Sequence, residues 1–113
     1  VLHLGLLPAS RVRQIEQLQR YIDRDVPHDA PLLVAGDFND WGNTVSRMMA
    51  SVGLHTNADT PVATYPSRMP LAQLDHVYAR GVHRVQTQVP KGGIWGRMSD
   101  HLPLLTEFAW DAP

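Results

Sequence analysis

No run constrains this chain more than Pro31-Leu32-Leu33-Val34-Ala35-Gly36-Asp37-Phe38-Asn39-Asp40. An apolar stretch long enough for a buried strand stops at a glycine, and an aspartate and an asparagine follow two apart. In extended backbone that spacing sends both polar heads to one side. A strand end that is stiff before the glycine and polar after it suits a group that holds a metal, a water or a phosphate. The rest of the chain then builds this platform or brings partners to it.

Residues 1–7 read as a strand whose one polar member is His3. Ser10 is placed to cap a helix in which Val12, Ile15, Leu18, Ile22 and Val26 recur at three- and four-residue steps. Prolines at 27 and 31 end it, and a strand over 32–35 after so short a link implies a crossover beside the first strand. The turn 41–44 supplies a cap for a second helix over 45–52, with Met48, Met49 and Val52 as its buried side and Gly53 as its stop. Residues 54–70 carry Pro61, Pro66 and Pro70 and show no sustained period, so they read as a long loop with a brief extended piece at Thr64-Tyr65. A strand over 74–79 opens on Asp75 and His76, and Gly81 links it tightly to a half-exposed strand over 82–89. The loop 91–97 delivers the chain to Ser99-Asp100-His101 and a last strand over 102–109.

The 113 residues make one domain at most, with room for one modest core. The formal net charge of -1 argues against broad gripping of a nucleic-acid backbone. Without cysteine there is neither a disulfide framework nor a thiolate nucleophile, which leaves oxygen and nitrogen ligands. No apolar run approaches membrane-spanning length, and no charged secretion-type start is present, so the expectation is a cytoplasmic protein. The chain opens on an apolar run without an initiator methionine, as a piece of a longer protein would.

Three polar clusters fall at strand ends: Asp37 with Asn39, Asp75 with His76, and Asp100 with His101, and His3 is a fourth candidate. One sheet edge could gather them, and buried carboxylates and imidazoles gathered there need partners or a task. The chemistry they support is metal-assisted hydrolysis. Carboxylate and amide oxygens suit Mg²⁺ or Mn²⁺, and an imidazole oriented by an aspartate can act as general base or polarise a phosphate oxygen. Ser99 lies in the right neighbourhood for a nucleophile, but no Gly-x-Ser-x-Gly elbow accompanies it.

Gly36-Asp37-Phe38-Asn39, Leu74-Asp75-His76-Val77-Tyr78 and Ser99-Asp100-His101-Leu102-Pro103 stand in the order and approximate spacing of the endonuclease/exonuclease/phosphatase superfamily, which this chain resembles. His3-Leu4 followed by Arg11-x-x-Gln14 is similar to the passage that precedes the first signature there. The resemblance implies an α/β (α+β) fold. Residues 1–113 would be the C-terminal half of a DNase I-like four-layer sandwich, one mixed sheet of about five or six strands with two helices on one face. It also implies roles. Asp37 would orient or activate the attacking water, and Asn39 would contact the scissile phosphate. His101 would be the catalytic imidazole and Asp75 its orienting carboxylate. Asp100 and Asp37 would serve the metal, Mg²⁺ or Mn²⁺, and His3 would match a second histidine on the phosphate. His76 would be structural, and Arg68 and Arg97, on the two long loops, are candidates for substrate contact.

The glutamate that is the family's principal metal ligand belongs to the half of the fold that these residues do not match, so weak metal binding is expected of this chain. A sheet face that would meet the other half is apolar, and such a face favours a two-fold homodimer. The substrate expected is a phosphoester, with a small molecule or lipid headgroup favoured over DNA because of the near-neutral charge. The competing expectation is a catalytically inert fold fragment or interaction module that self-associates through that face.

Overall fold

The computed structural model describes residues 2–5, 7–57 and 61–110. Its elements in chain order are β1 (Leu2–His3), α1 (Pro8–Asp25), β2 (Leu32–Asp37), α2 (Thr44–Ala50), β3 (Asp75–Arg80), β4 (His83–Gln88), α3 (Trp95–Met98) and β5 (Leu105–Ala109). The architecture is α+β, as the sequence predicts. The helix between β1 and β2 lets those strands pair in parallel, with Leu2 opposite Gly36 and His3 opposite Asp37. β3 then adds antiparallel to β2, which makes a mixed sheet of order β1-β2-β3.

The single sheet of five or six strands is where the structure differs. The same five strands are divided into the three-stranded sheet and a separate antiparallel β4-β5 ribbon, and α3 is a third, one-turn helix. The division has a physical cause at the outer edge of β3. There His55 exchanges both backbone hydrogen bonds with Ala79, at 3.0 and 2.9 Å. The Arg84 guanidinium donates to the carbonyls of Val77 and His55. With those carbonyls taken, β4 pairs with β5 instead. A bulge between Arg84 and Gln86 turns Arg84 inward and leaves Val85 59% exposed.

The helix edges also move. α1 starts at Pro8, a residue suited to a first turn, with Leu7 at its N-cap, so Ser10 lies inside the helix. Asn43 makes no side-chain cap; instead Asp40 Oδ2 accepts the backbone N–H of Val45 at 3.0 Å. The first strand is shorter than residues 1–7, of which Val1 and Leu6 lie outside the described residues. The last strand begins at Leu105, because the Leu102 backbone N–H is given to Thr64 across the loop at 2.7 Å.

The core lies between the helices and one face of the sheet. Ile15 and Ile22 of α1, Val45 and Met49 of α2, and Leu4, Phe38, Leu54 and Tyr78 form it, with Leu32 and Val34 against them. Each large side chain buried there stabilises the fold by roughly 1.5–3 kcal/mol. Phe38 is fully buried and meets Tyr78 edge to face at 4.9 Å. It thereby anchors the strand end between Asp37 and Asn39. Gly36 lets β1 close on that strand, since a Cβ there would stand 1.8 Å from the Leu2 carbonyl oxygen.

Candidate functional site

Asp37, Asn39 and His101 reach one cavity of about 340 Å³, which His3, Trp41, Tyr65, Leu74 and Asp100 also line. Asp37 is the last residue of β2, and its parallel partner His3 ends β1 beside it. Asp75, its antiparallel partner, begins β3. Three strand ends therefore converge because their registers put them side by side.

Asn39 arrives by another route than the alternation its spacing suggests. β2 ends at Asp37, and Asn39 takes a left-handed backbone, φ +47°. Asparagine tolerates that conformation better than most residues. Asp37 Oδ1 accepts the Asn39 backbone N–H at 2.9 Å, and Asn39 Nδ2 donates to the Leu4 carbonyl at 2.6 Å. One amide N–H is thus committed to the scaffold, and the second is what the side chain can offer a ligand.

His101 is held from both sides. Its Nδ1 is 2.7 Å from Asp75 Oδ2, and its Nε2 is 3.5 Å from Asp37 Oδ2. His3 Nε2 approaches the same Asp37 oxygen, also at 3.5 Å. Partial burial would lower the His101 pKa, but the hydrogen bond it gives to Asp75 and the charges of Asp75, Asp37 and Asp100 outweigh it, and the net direction is upward. The Tyr65 ring lies 5.0 Å from the imidazole, centre to centre. Loop contacts fix the segment that carries His101: Ser67 N–H reaches the Asp100 carbonyl at 2.8 Å, and the Thr64 carbonyl accepts the Leu102 N–H at 2.7 Å.

His76 is buried in contrast, with Nδ1 2.7 Å from Thr56 Oγ1 and Nε2 3.1 Å from the Gln73 carbonyl. Burial lowers its pKa. It faces the core, stacked near Tyr78. Asp100 is exposed at the cavity rim, and its carboxylate accepts from Ser99 Oγ at 3.4 Å. Arg68 and Arg97 do not line this cavity; both line a neighbouring cleft. Trp41 and Tyr65, ring centres 5.8 Å apart and edge to face, form an aromatic wall, although in the sequence they fall only in a turn and a loop. An aromatic residue beside each of two polar loop stretches was the available signal.

Asp37, Asp75 and His101 each offer a ligand atom, all within 4.8 Å of one another. Carboxylate oxygens are the donors a hard cation takes. Mg²⁺ commonly binds through one or two carboxylates while waters and substrate phosphate fill its remaining positions, and this donor set fits that pattern. Asp75, and not Asp100, joins Asp37 and His101 in this group.

A mixed sheet with helices packed against it thus carries an Asp-His pair and a second carboxylate at its strand ends. The model of the Endonuclease/Exonuclease/phosphatase family matches residues 1–101, and the chain belongs to that family. It is 34% identical over 110 residues to the "Uncharacterized protein YbhP" of Escherichia coli strain K12, covering 93% of this chain and 43% of that protein. It is also 34% identical over 99 residues to a UPF0294 protein of Vibrio cholerae, covering 82% of this chain and 33% of the relative. A crystal structure of a functionally unknown conserved protein from Enterococcus faecalis V583 superposes with a TM-score of 0.80 at 25% identity, over 97% of this chain and 48% of that one. The chain therefore spans about half, or less, of the proteins it matches. Among the described residues no helix is long and apolar enough to cross a membrane.

Proposed function

We propose that this chain is the part of a divalent-metal-dependent phosphoester hydrolase that handles the attacking water and the phosphate. The observation that carries the reading is the line Asp75-His101-Asp37, in which one imidazole is gripped at Nδ1 by a carboxylate and presents Nε2 toward a second one. Family membership supports the same chemistry. Asp37 would hold Mg²⁺ or Mn²⁺ together with Asp75 or, from the rim, Asp100. A bound cation of this kind makes water a better nucleophile and neutralises charge on the phosphoryl oxygens.

The chain's own groups do the rest. A water beside Asp37 Oδ2 gives up its proton to that carboxylate as its oxygen bonds to phosphorus and the ester oxygen departs. His101, its pKa raised, donates Nε2–H to a phosphoryl oxygen as negative charge builds there. Asp75 keeps the ring oriented for that donation. Asn39 offers its second amide N–H to the same phosphoryl group. His3, exposed and against Asp37, is placed to add a second imidazole contact.

Mg²⁺-dependent hydrolysis of bis-p-nitrophenyl phosphate tests the reading. Activity abolished by EDTA and by His101→Ala supports it. A folded, inactive protein that binds no Mg²⁺ supports the inert fragment instead. Salt-sensitive binding of duplex DNA would favour a nuclease over the small-molecule or lipid-headgroup phosphoester proposed here.

A further inference from the structure

Beside the catalytic cavity lies a second cleft, of about 420 Å³, to which Arg68, Lys91 and Arg97 contribute and no acidic residue does. All three cations are exposed, and among the described residues none of them is in an ion pair. In a chain of net charge -1 that is a local excess of one sign. Clefts lined by one sign focus the field and concentrate counter-ions. Gly92 and Gly93 leave its floor open, with nothing within 4 Å of where a Cβ would stand. A cleft of that volume has room for a tetrahedral anion.

The cleft is fixed relative to the catalytic residues. Ser67 Oγ and Arg68 Nε both donate to the Gly96 carbonyl, at 3.2 and 3.3 Å, which ties the two loops together. Ser67 N–H holds the Asp100 carbonyl next to His101, and Tyr65, three residues before Arg68, lines the catalytic cavity itself. A ligand phosphate in the cleft would therefore keep a set position with respect to a second phosphate at His101.

We infer that the Arg68-Lys91-Arg97 cleft is a subsite for a second phosphate group of the substrate, so that the preferred substrate carries at least two phosphates. Its place on the substrate rests on the phosphoesterase reading of the neighbouring cavity. The anion site itself does not.

Calorimetry with inorganic pyrophosphate in EDTA tests the site without requiring turnover, and His101→Ala serves as the control for any probe held in the neighbouring cavity. Binding by the wild type, weakened ~10-fold or more in Lys91→Gln/Arg97→Gln, is expected from the loss of two charge-assisted contacts. Equal affinity in the double variant, or no binding by the wild type at about 10 mM, a concentration that would reveal even a millimolar complex, overturns the proposal. Displacement by inositol trisphosphate assigns the phosphate to a small polyphosphate, and displacement by a short single-stranded oligonucleotide assigns it to a nucleic-acid backbone. Displacement by neither overturns the substrate role. Kinetically, the ratio of kcat/KM for a bisphosphorylated ester to that for bis-p-nitrophenyl phosphate should fall ~10-fold in the double variant. If neither ester is hydrolysed while pyrophosphate binding and its loss persist, the phosphoesterase reading fails and the anion site stands.

Discussion

Asp75 Oδ2 stands 2.7 Å from His101 Nδ1 across 26 residues of sequence, one at the start of a strand and the other in the loop before the last strand. A carboxylate at that distance holds the Nδ1–H and favours the imidazolium, whose Nε2–H is aimed at Asp37. Asp75→Asn preserves the shape and removes the charge. It is expected to lower kcat on bis-p-nitrophenyl phosphate by ~10²–10⁴-fold while the circular dichroism spectrum is unchanged. A loss below threefold would leave the carboxylate without its orienting role.

The left-handed backbone of Asn39 separates what its amide does from what its main chain does. Both Asn39→Ala and Asn39→Gly lose the hydrogen bond to the Leu4 carbonyl, but only alanine suffers the steric cost of the left-handed region. Denaturant melts should find the glycine variant more stable than the alanine variant by ~1 kcal/mol. Both should be equally impaired in hydrolysis. An alanine variant as stable as the glycine one would mean that the backbone relaxes there.

Alkaline pH should weaken the fold through Tyr78. Its phenol is buried beneath the sheet, and although the 2.8 Å contact with Ser46 Oγ favours ionisation, burial prevails and pushes the pKa up to about 12 from 10.0. The folded state holds this proton more tightly than the unfolded one. The stabilisation is therefore complete below pH about 10 and is lost as pH rises toward about 12. Melting temperature followed over that window should fall more steeply for the wild type than for Tyr78→Phe, and parallel curves would show that Tyr78 is not responsible.

The sheet face away from the helices pairs Leu33 with Ala79 and Ala35 with Val77 across β2 and β3. Leu33 is 51% exposed. Light scattering is expected to find a homodimer joined through this face, with Leu33→Lys shifting it to monomer, because a charge buried at such an interface has no partner. A monodisperse wild-type monomer at micromolar concentration would rule the interface out.

Much of the site was legible because its residues sit where local patterns change. Gly36-Asp37 marks the point where an apolar run turns polar, and Asp75 and His101 mark two more. The cavity does bring Asp37, Asn39, His3 and His101 together. Asp40 and Ser10 were harder, since several polar residues can cap a helix and only the chain's path decides which one reaches the free N–H groups. Trp41 and Tyr65 gave no periodic signal at all. Their place in the cavity wall follows from loop contacts that no window of sequence contains.

What the sequence by itself determined was the alternation of helices and strands, the apolar stripes of α1 and α2, and the identity of the polar side chains that line the candidate site, because these depend on short-range periodicity and residue chemistry. Tertiary structure decided the rest. The five strands divide into three and two because His55 and Arg84 occupy the outer edge of β3. Asn39 reaches the cavity through a left-handed turn fastened to Leu4. Arg68 and Arg97 form a cleft of their own beside the site because two loops meet at the Gly96 carbonyl. Each depends on which distant backbone groups are already satisfied when the chain packs, and a linear pattern of residue types does not contain that.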